Sequence, residues 1–278
     1  MFDLSSRAAK LVFGGTILLI GFYLFFPIYW MIISSLKANE ELYQVLPTFF
    51  PRNLTLSHYW SLMTESQLGL YLLNSLITSG ASATINTILA IYAGYSFAKY
   101  RYPGRQPIML FMLSAQMFPF GLLLISIYPV MTDFGLLDTR PGLILSYIVF
   151  ALPVAVYMLY SYFSQVPDEL IDAARADGAS DFRIFHTIVI PISIPPIVTV
   201  FLYSFMWSWN DLLYSMTLIV SEDKRTIGPG LLLTYLNETN ADWGGAMAAS
   251  LVVSAPIVAA FMFLQRYFIQ GVTAGAVK

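Results

Sequence analysis

The chain has 278 residues, of which 58% are hydrophobic and only 11% charged; a soluble domain usually carries about 25% charge, so composition points to a polytopic membrane protein. A net charge of -2 provides no basic field for nucleic acid, and the absence of cysteine excludes disulfides and thiolate metal or redox centres. No Gly-rich phosphate loop follows a strand, so ATP chemistry, if used, belongs to another chain.

A spanning helix needs about 20 mainly apolar residues. Six such stretches occur in chain order, at about 11–35, 69–98, 107–130, 141–163, 194–220 and 245–268. The first is long and no small-residue cleavage site follows it, which reads as an uncleaved signal-anchor. With the N-terminus placed in the cytoplasm, the inner segments hold Arg7, Lys10, Lys99, Arg101, Arg105, Arg175, Arg183, Arg266 and Lys278. The outer loops hold Lys37, Arg52, Arg140, Lys224 and Arg225. That bias predicts both termini inside. The outer loop 37–68 carries Tyr43, Tyr59 and Trp60, which suit either a partner protein or the membrane surface.

The second span places Asn74, Thr78, Ser82 and Asn86 four residues apart, with Ser75, Ser79 and Thr87 on adjoining rows. Residues at that spacing share one helix face. Two compatible readings follow: a close helix–helix contact through small polar residues, or the wall of a hydrated cavity. The fifth span carries Trp207-Ser208-Trp209-Asn210-Asp211. It reads either as an interfacial anchor, with Asp211 in the outer part of the helix, or as a polar and aromatic lining for a solute.

Between the fourth and fifth spans the chain changes character. Asp168, Glu169, Asp172, Arg175, Asp177, Asp181 and Arg183 fall within sixteen positions. Pro167 ends the preceding helix and Asp168 is expected to cap a new one, with Glu169 and Asp172 near its positive end. Gly178 is expected to supply a left-handed C-terminal residue. Ser180 should cap a second short helix containing Phe182 and Phe185, which Pro191 should close. Small residues Ala173, Ala174, Gly178 and Ala179 would let another surface approach, and the flanking charges would orient it. The competing reading is a solvated charged loop. A third reading, Mg²⁺ on the Asp168/Asp172 and Asp177/Asp181 pairs of a prenyltransferase-like enzyme, lacks a second aspartate-rich loop. A secondary transporter would need an ion-coupling residue deep in a span, and only Asp211 comes near that.

The loop 164–193 resembles the EAA motif of binding-protein-dependent ABC importer permeases, Glu-Ala-Ala, Asp-Gly-Ala and Ile-x-Leu-Pro. Here it stands as Asp172-Ala173-Ala174, Asp177-Gly178-Ala179 and Ile188-Val189-Ile190-Pro191, with Asp172 and Ile190 as departures. The segments 74–76 (NSL), 136–145 (LLDTRPGLIL), 207–214 (WSWNDLLY) and 265–278 (QRYFIQGVTAGAVK) are similar to the carbohydrate-uptake branch, near the shorter permease of maltose-type systems.

The resemblance implies an all-α, MetI-like permease fold with six transmembrane helices in one domain over residues 1–278. It implies a non-catalytic subunit in a bacterial or archaeal inner membrane. Its partners would be a second, homologous permease, two ATPase subunits that bind ATP and Mg²⁺, an outer sugar-binding protein and membrane lipid. No cofactor or metal is expected in this chain. Asp172, Ala173, Ala174, Asp177, Gly178, Ala179, Phe182, Phe185 and Pro191 would form the coupling element on the ATPase. Asn74, Asn86, Trp207, Asn210, Asp211 and Tyr214 are candidates for the substrate path, because hydroxyls need hydrogen bonds and sugar rings stack on aromatics. A solute such as a glycerol phosphoester or polyol is the alternative cargo. The tail at Thr273–Lys278 could also reach the ATPase pair.

Overall fold

A computed structural model describes residues 7–237 and 241–276, with side chains placed at 9–237 and 241–263. The tail segment 265–278 therefore lies outside the described side chains. The described chain is helical, and its pairing outside helices consists of the isolated bridges Lys37–Leu54 and Leu236–Ala241. The helices relevant below are α1 (Arg7–Ser35), α2 (Asn39–Leu42), α3 (Ser57–Thr64), α4 (Leu68–Lys99), α5 (Arg105–Ser114), α6 (Phe120–Asp133) and α7 (Arg140–Phe163). They continue with α8 (Asp168–Ala176), α9 (Asp181–Ile184), α10 (Ile190–Ile192), α11 (Ile194–Trp209), α12 (Leu213–Leu218), α13 (Ile227–Tyr235) and α14 (Trp243–Ala276).

Ala9–Ser35, Leu68–Lys99, Arg140–Phe163 and Trp243–Phe263 are each long and apolar enough to cross a membrane. The third and fifth expected spans differ from the expectation of unbroken helices. The third is bent by 104° between Arg105–Met117 and Phe120–Asp133. The cause is local: Phe118 precedes Pro119, and proline pushes the residue before it into extended geometry, here φ -78° and ψ 136°. The fifth, expected over 194–220, stops at Trp209 and resumes at Leu213. Its start is bent by 76° against 181–192. Pro195 and Pro196 have no amide hydrogens to offer the preceding turn, so the helix breaks at Ser193. With each bent pair taken as one span, the described residues hold six.

The chain forms two compact units, one gathering residues up to Leu68 with Leu231–Pro256, the other Gly69–Gly230 with the helix from Ile257 onward. In the first unit, the residues after α1 fold into a tied elbow. Lys37 is buried; its Nζ donates to the Thr48 carbonyl and lies 5.0 Å from the Trp30 ring centroid. His58 bonds the Lys37 carbonyl at 2.8 Å, and the Glu41 carboxylate accepts from the Thr48 hydroxyl and the Arg52 amide.

In the second unit, α4 packs against α7 and α11. The polar row on α4 is buried at the α11 contact: Ser82 bonds Ser208 at 2.8 Å, and Asn86 Nδ2 donates to Ser204 Oγ at 2.6 Å. The helix-contact reading of that row thus holds here. Toward α7, Gly94 permits close approach: a Cβ there would lie 2.9 Å from the Leu159 Cβ. Gly94→Ala should therefore cost about 1–3 kcal/mol by overpacking. Gly80→Ala, where nothing lies within 4 Å, should gain up to about 1 kcal/mol of helix propensity. Thermal melts of the two solubilised variants check this, and equal shifts would refute it.

Candidate functional site

The charged loop begins at α8, directly after Pro167. Asp168 does not cap it, contrary to expectation. It occupies the first helical position, and its carboxylate is taken by Lys99, the last residue of α4, at 2.6 Å. The same Lys99 Nζ donates to the Val166 carbonyl at 2.5 Å. The Lys99 hydrogen bond to the Asp168 carboxylate holds that carboxyl below the usual range. Gly178 closes α8 with φ +83°, as expected, while the Gly178 and Ala179 amides bond the carbonyls of Arg175 and Ala174. The Ser180 hydroxyl accepts from the Arg183 amide and starts α9, also as expected. Pro191 does not close that helix. The chain runs on through a wider π-type turn at Phe185–Val189 into α10 and breaks at Ser193.

The loop has two sides. Ile171, Ala174, Ile184 and Phe185 are buried in one cluster with Tyr95 and Phe163, and the Phe185 and Tyr95 rings are 4.4 Å apart. Asp172, Ala173, Asp177, Gly178, Phe182 and Pro191 are exposed, Phe182 at 72%, and Ala179 is half-buried. The residues read as one motif therefore divide between an anchor and an outer surface. Some charges are spent internally: Arg175 joins Asp172 at 3.2 Å and Asp181 at 2.9 Å. Three of the four carboxylates a Mg²⁺ site would need, Asp168, Asp172 and Asp181, are thus engaged by Lys99 and Arg175, and the described residues contain no group of three or more His, Cys, Asp or Glu placed to hold a metal.

A cavity of about 900 Å³ opens where the two broken spans meet, lined by residues that include Gln116, Phe120, Phe150, Trp207, Asn210 and Asp211. Phe150 stacks on Trp207 at 5.5 Å and 20°, and Phe120 meets Trp207 edge-on at 5.0 Å. The break behind Trp209 is held by Asp211, which is buried. Its carboxylate accepts from Tyr147 Oη at 3.0 Å, the Tyr214 amide at 3.2 Å and the Ser215 amide at 2.8 Å. That arrangement caps α12. Asn210 returns its amide to the Met206 carbonyl at 2.7 Å, and Gln116 donates to the Phe150 carbonyl at 3.0 Å.

Of the six residues expected on a solute path, Trp207, Asn210 and Asp211 line this cavity. Tyr214 sits behind the wall, fully buried, with its hydroxyl on the Phe120 carbonyl at 3.0 Å. Asn86 faces Ser204. Asn74 is fully buried elsewhere: Nδ2 donates to the Asp223 and Arg225 carbonyls, both at 2.9 Å, and Oδ1 accepts from Arg140 Nη2 at 2.8 Å.

That last contact belongs to a clamp not expected from sequence. Asp138, at φ 55°, receives the amides of Val220 and Ser221, both at 2.9 Å, the Ser221 hydroxyl, and Lys224 Nζ at 3.0 Å. Burial pushes its carboxyl up, but the Ser221, Lys224 and Val220 hydrogen bonds outweigh burial and hold it well below the ordinary range. In the sequence Arg140 and Lys224 served as topology charges, and the 136–145 segment with Asp138 and Arg140 as part of the family resemblance; neither reading named this contact.

Residues 86–274 match the family model described as "Binding-protein-dependent transport system inner membrane component". The chain belongs to this family. It is accordingly a permease subunit rather than an ATPase. It is 34% identical over 91% of both chains to the inner membrane ABC transporter permease protein YcjP of Escherichia coli K12. It is 31% identical to the diacetylchitobiose uptake system permease protein NgcG of Streptomyces coelicolor, covering 91% of this chain and 83% of that one. It is 30% identical to the trehalose/maltose transport system permease protein MalG of Thermococcus litoralis over 91% of both. Among solved structures, a bacterial ABC transporter that imports the acidic polysaccharide alginate has a chain of the same fold, with a TM-score of 0.82 at 21% identity, covering 96% of this permease and 99% of that chain.

Gly178→Val should strain the left-handed turn by about 1–2 kcal/mol and lower ATP-driven uptake by the assembled transporter. Normal uptake at normal expression would refute that. Asp138 has a depressed carboxyl, so its stabilising effect is complete above the unfolded value of about 3.9 and fades only as pH falls through the lower folded value. Hydrogen exchange at Val220 and Ser221 should therefore show no loss of protection between pH 7 and 5, once intrinsic rates are corrected. Asp138→Asn should speed it about tenfold by removing charge-assisted hydrogen bonds.

Proposed function

We propose that this chain is the sugar-translocating permease subunit of an ATP-driven importer. The observation that carries the reading is similarity along nine-tenths of the chain to permeases named for trehalose/maltose and diacetylchitobiose uptake. The cavity suits such cargo: an aromatic wall at Phe120, Phe150 and Trp207 can stack on sugar rings, beside the polar groups of Gln116 and Asn210.

In this reading residues 1–278 act as one permease domain paired with a second, related permease. Both termini and the 164–193 loop face the cytoplasm, consistent with the lysine and arginine distribution. Two ATPase subunits, which bind ATP and Mg²⁺, receive the outer side of α8 and α9 at Asp172, Ala173, Asp177, Gly178 and Phe182. Phe185 and Ala174 anchor that surface, and Pro191 lies on the path to α11. An outer binding protein delivers the sugar. ATP can shift the permease between inward- and outward-facing states only through contacts that differ between the two states, and a rigid loop seated on a moving ATPase supplies such contacts.

The test is uptake by vesicles containing this chain with the chains that co-purify with it, offered labelled maltose, trehalose, diacetylchitobiose and glycerol 3-phosphate. ATP-dependent, binding-protein-dependent uptake of a di- or oligosaccharide is expected. Trp207→Ala should slow it by about two- to tenfold, the worth of one lost aromatic contact, at unchanged protein level. Uptake of glycerol 3-phosphate alone would replace sugar with the phosphoester reading, and transport unaffected by Trp207→Ala would remove the cavity from the solute path.

A further inference from the structure

α4 is fastened at both ends by side chains that grip the backbone of other segments. At one end Lys99 holds the Val166 carbonyl at 2.5 Å and the Asp168 carboxylate at 2.6 Å, on the threshold of α8. One turn earlier, Tyr95 packs its ring 4.4 Å from Phe185 and 5.6 Å from Phe163. At the other end Asn74 engages both amide hydrogens on the Asp223 and Arg225 carbonyls and its oxygen on Arg140. Ser75 Oγ accepts the Ile227 amide at 2.8 Å, and Tyr71 Oη donates to Glu222 at 3.1 Å. The 219–227 segment so held is also pinned by Asp138.

Between Asn74 and Lys99 the helix rises about 38 Å at 1.5 Å per residue, more than the roughly 30 Å of bilayer hydrocarbon. It contains no proline. The other routes between these regions are weaker links: α11 stops at Trp209, α5 and α6 are bent by 104°, and α7 carries Pro153. Side-chain hydrogen bonds to carbonyls make each grip a property of α4 and of the gripped backbone path.

We infer that α4 is the strut that carries displacement between the 168–185 loop and the 219–227 loop, with Lys99 and Asn74 as its two positioning residues. Lys99 makes the charged loop move with α4, and Asn74 makes the 219–227 segment follow. The device rests on the reading that the 168–185 loop docks on an ATPase.

The chain has no cysteine of its own, so single labels are unique within it. A spin label at Glu169→Cys reports the docking loop, and one at Val220→Cys, 67% exposed, reports the far segment. In the whole transporter in vesicles, with partner cysteines removed, trapping ATP should change both spectra. Lys99→Met should leave the change at 169 and abolish the change at 220, and Lys99→Arg should restore it. Asp168→Asn, a milder lesion at an exposed residue, should reduce the response at 220 at least twofold while the melting temperature stays the same. Asn74→Ala should again uncouple 220 alone. A response at 220 that survives both Lys99→Met and Asn74→Ala would overturn the strut and assign transmission to α7. No response at 220 in the otherwise unsubstituted chain would overturn it as well. No response at 169 there would instead defeat the docking reading itself, so the two failures are distinguishable.

Discussion

Inside a bilayer a backbone amide or carbonyl released from a helix has no water to bond, so every break in a span must be closed by the protein. The breaks in this permease follow that constraint. At Asn210–Leu212 the Asp211 carboxylate takes the first free amides of α12. At Phe118–Pro119 the Phe118 amide bonds the Ala115 carbonyl and the Leu122 amide the Pro119 carbonyl, while the Tyr214 hydroxyl and Gln116 add bonds to the Phe120 and Phe150 carbonyls beside them. At Ser193 the Ser193 hydroxyl bonds the Val189 carbonyl at 2.6 Å, and Tyr162 bonds Ile192 at 2.9 Å. Each break thus has a side-chain hydrogen bond from another segment beside it. The cavity exists because two such bends face each other, and its polar character follows from the groups that repair them.

The same economy of polar groups governs α4. A polar row on an otherwise apolar helix is costly against lipid but not against another helix that answers it. Ser204 and Ser208 on α11 answer Ser82 and Asn86, and loop carbonyls answer Asn74. Small residues let these partners approach, as Gly94 does toward α7. The row is spent on helix and loop contacts, although Asn86 Oδ1 and Thr87 Oγ1 are buried without a hydrogen-bond partner.

Charge is handled in a parallel way. The 168–185 loop does not present all of its ionised groups outward. Lys99 and Arg175 neutralise Asp168, Asp172 and Asp181, which fixes the loop's shape, while Ile171, Ala174, Ile184 and Phe185 hold it down. What remains outward includes small residues, Phe182, the carboxylates of Glu169 and Asp177 and the Arg183 guanidinium. A surface that is rigid, partly neutral and shape-defined suits repeated docking better than a tether of free charges.

Much of this was legible in the residues. The apolar stretches located four continuous spans because hydrophobic length is a local property. Gly178 and Ser180 announced the α8–α9 turn because left-handed geometry and hydroxyl capping depend on one residue and its neighbours. Asp172-Ala173-Ala174 and Asp177-Gly178-Ala179 marked the loop for the same reason. The tertiary structure decided the rest. Whether Asp168 caps its helix or meets Lys99 depends on a residue 69 positions away. Whether Asn74 lines a path or holds a loop depends on Arg140 and Asp223, and the partner of the buried Asp211 carboxylate is Tyr147, 64 positions away. A polar side chain advertises only that it needs a partner; which partner it finds is set by the packing of helices far apart in sequence.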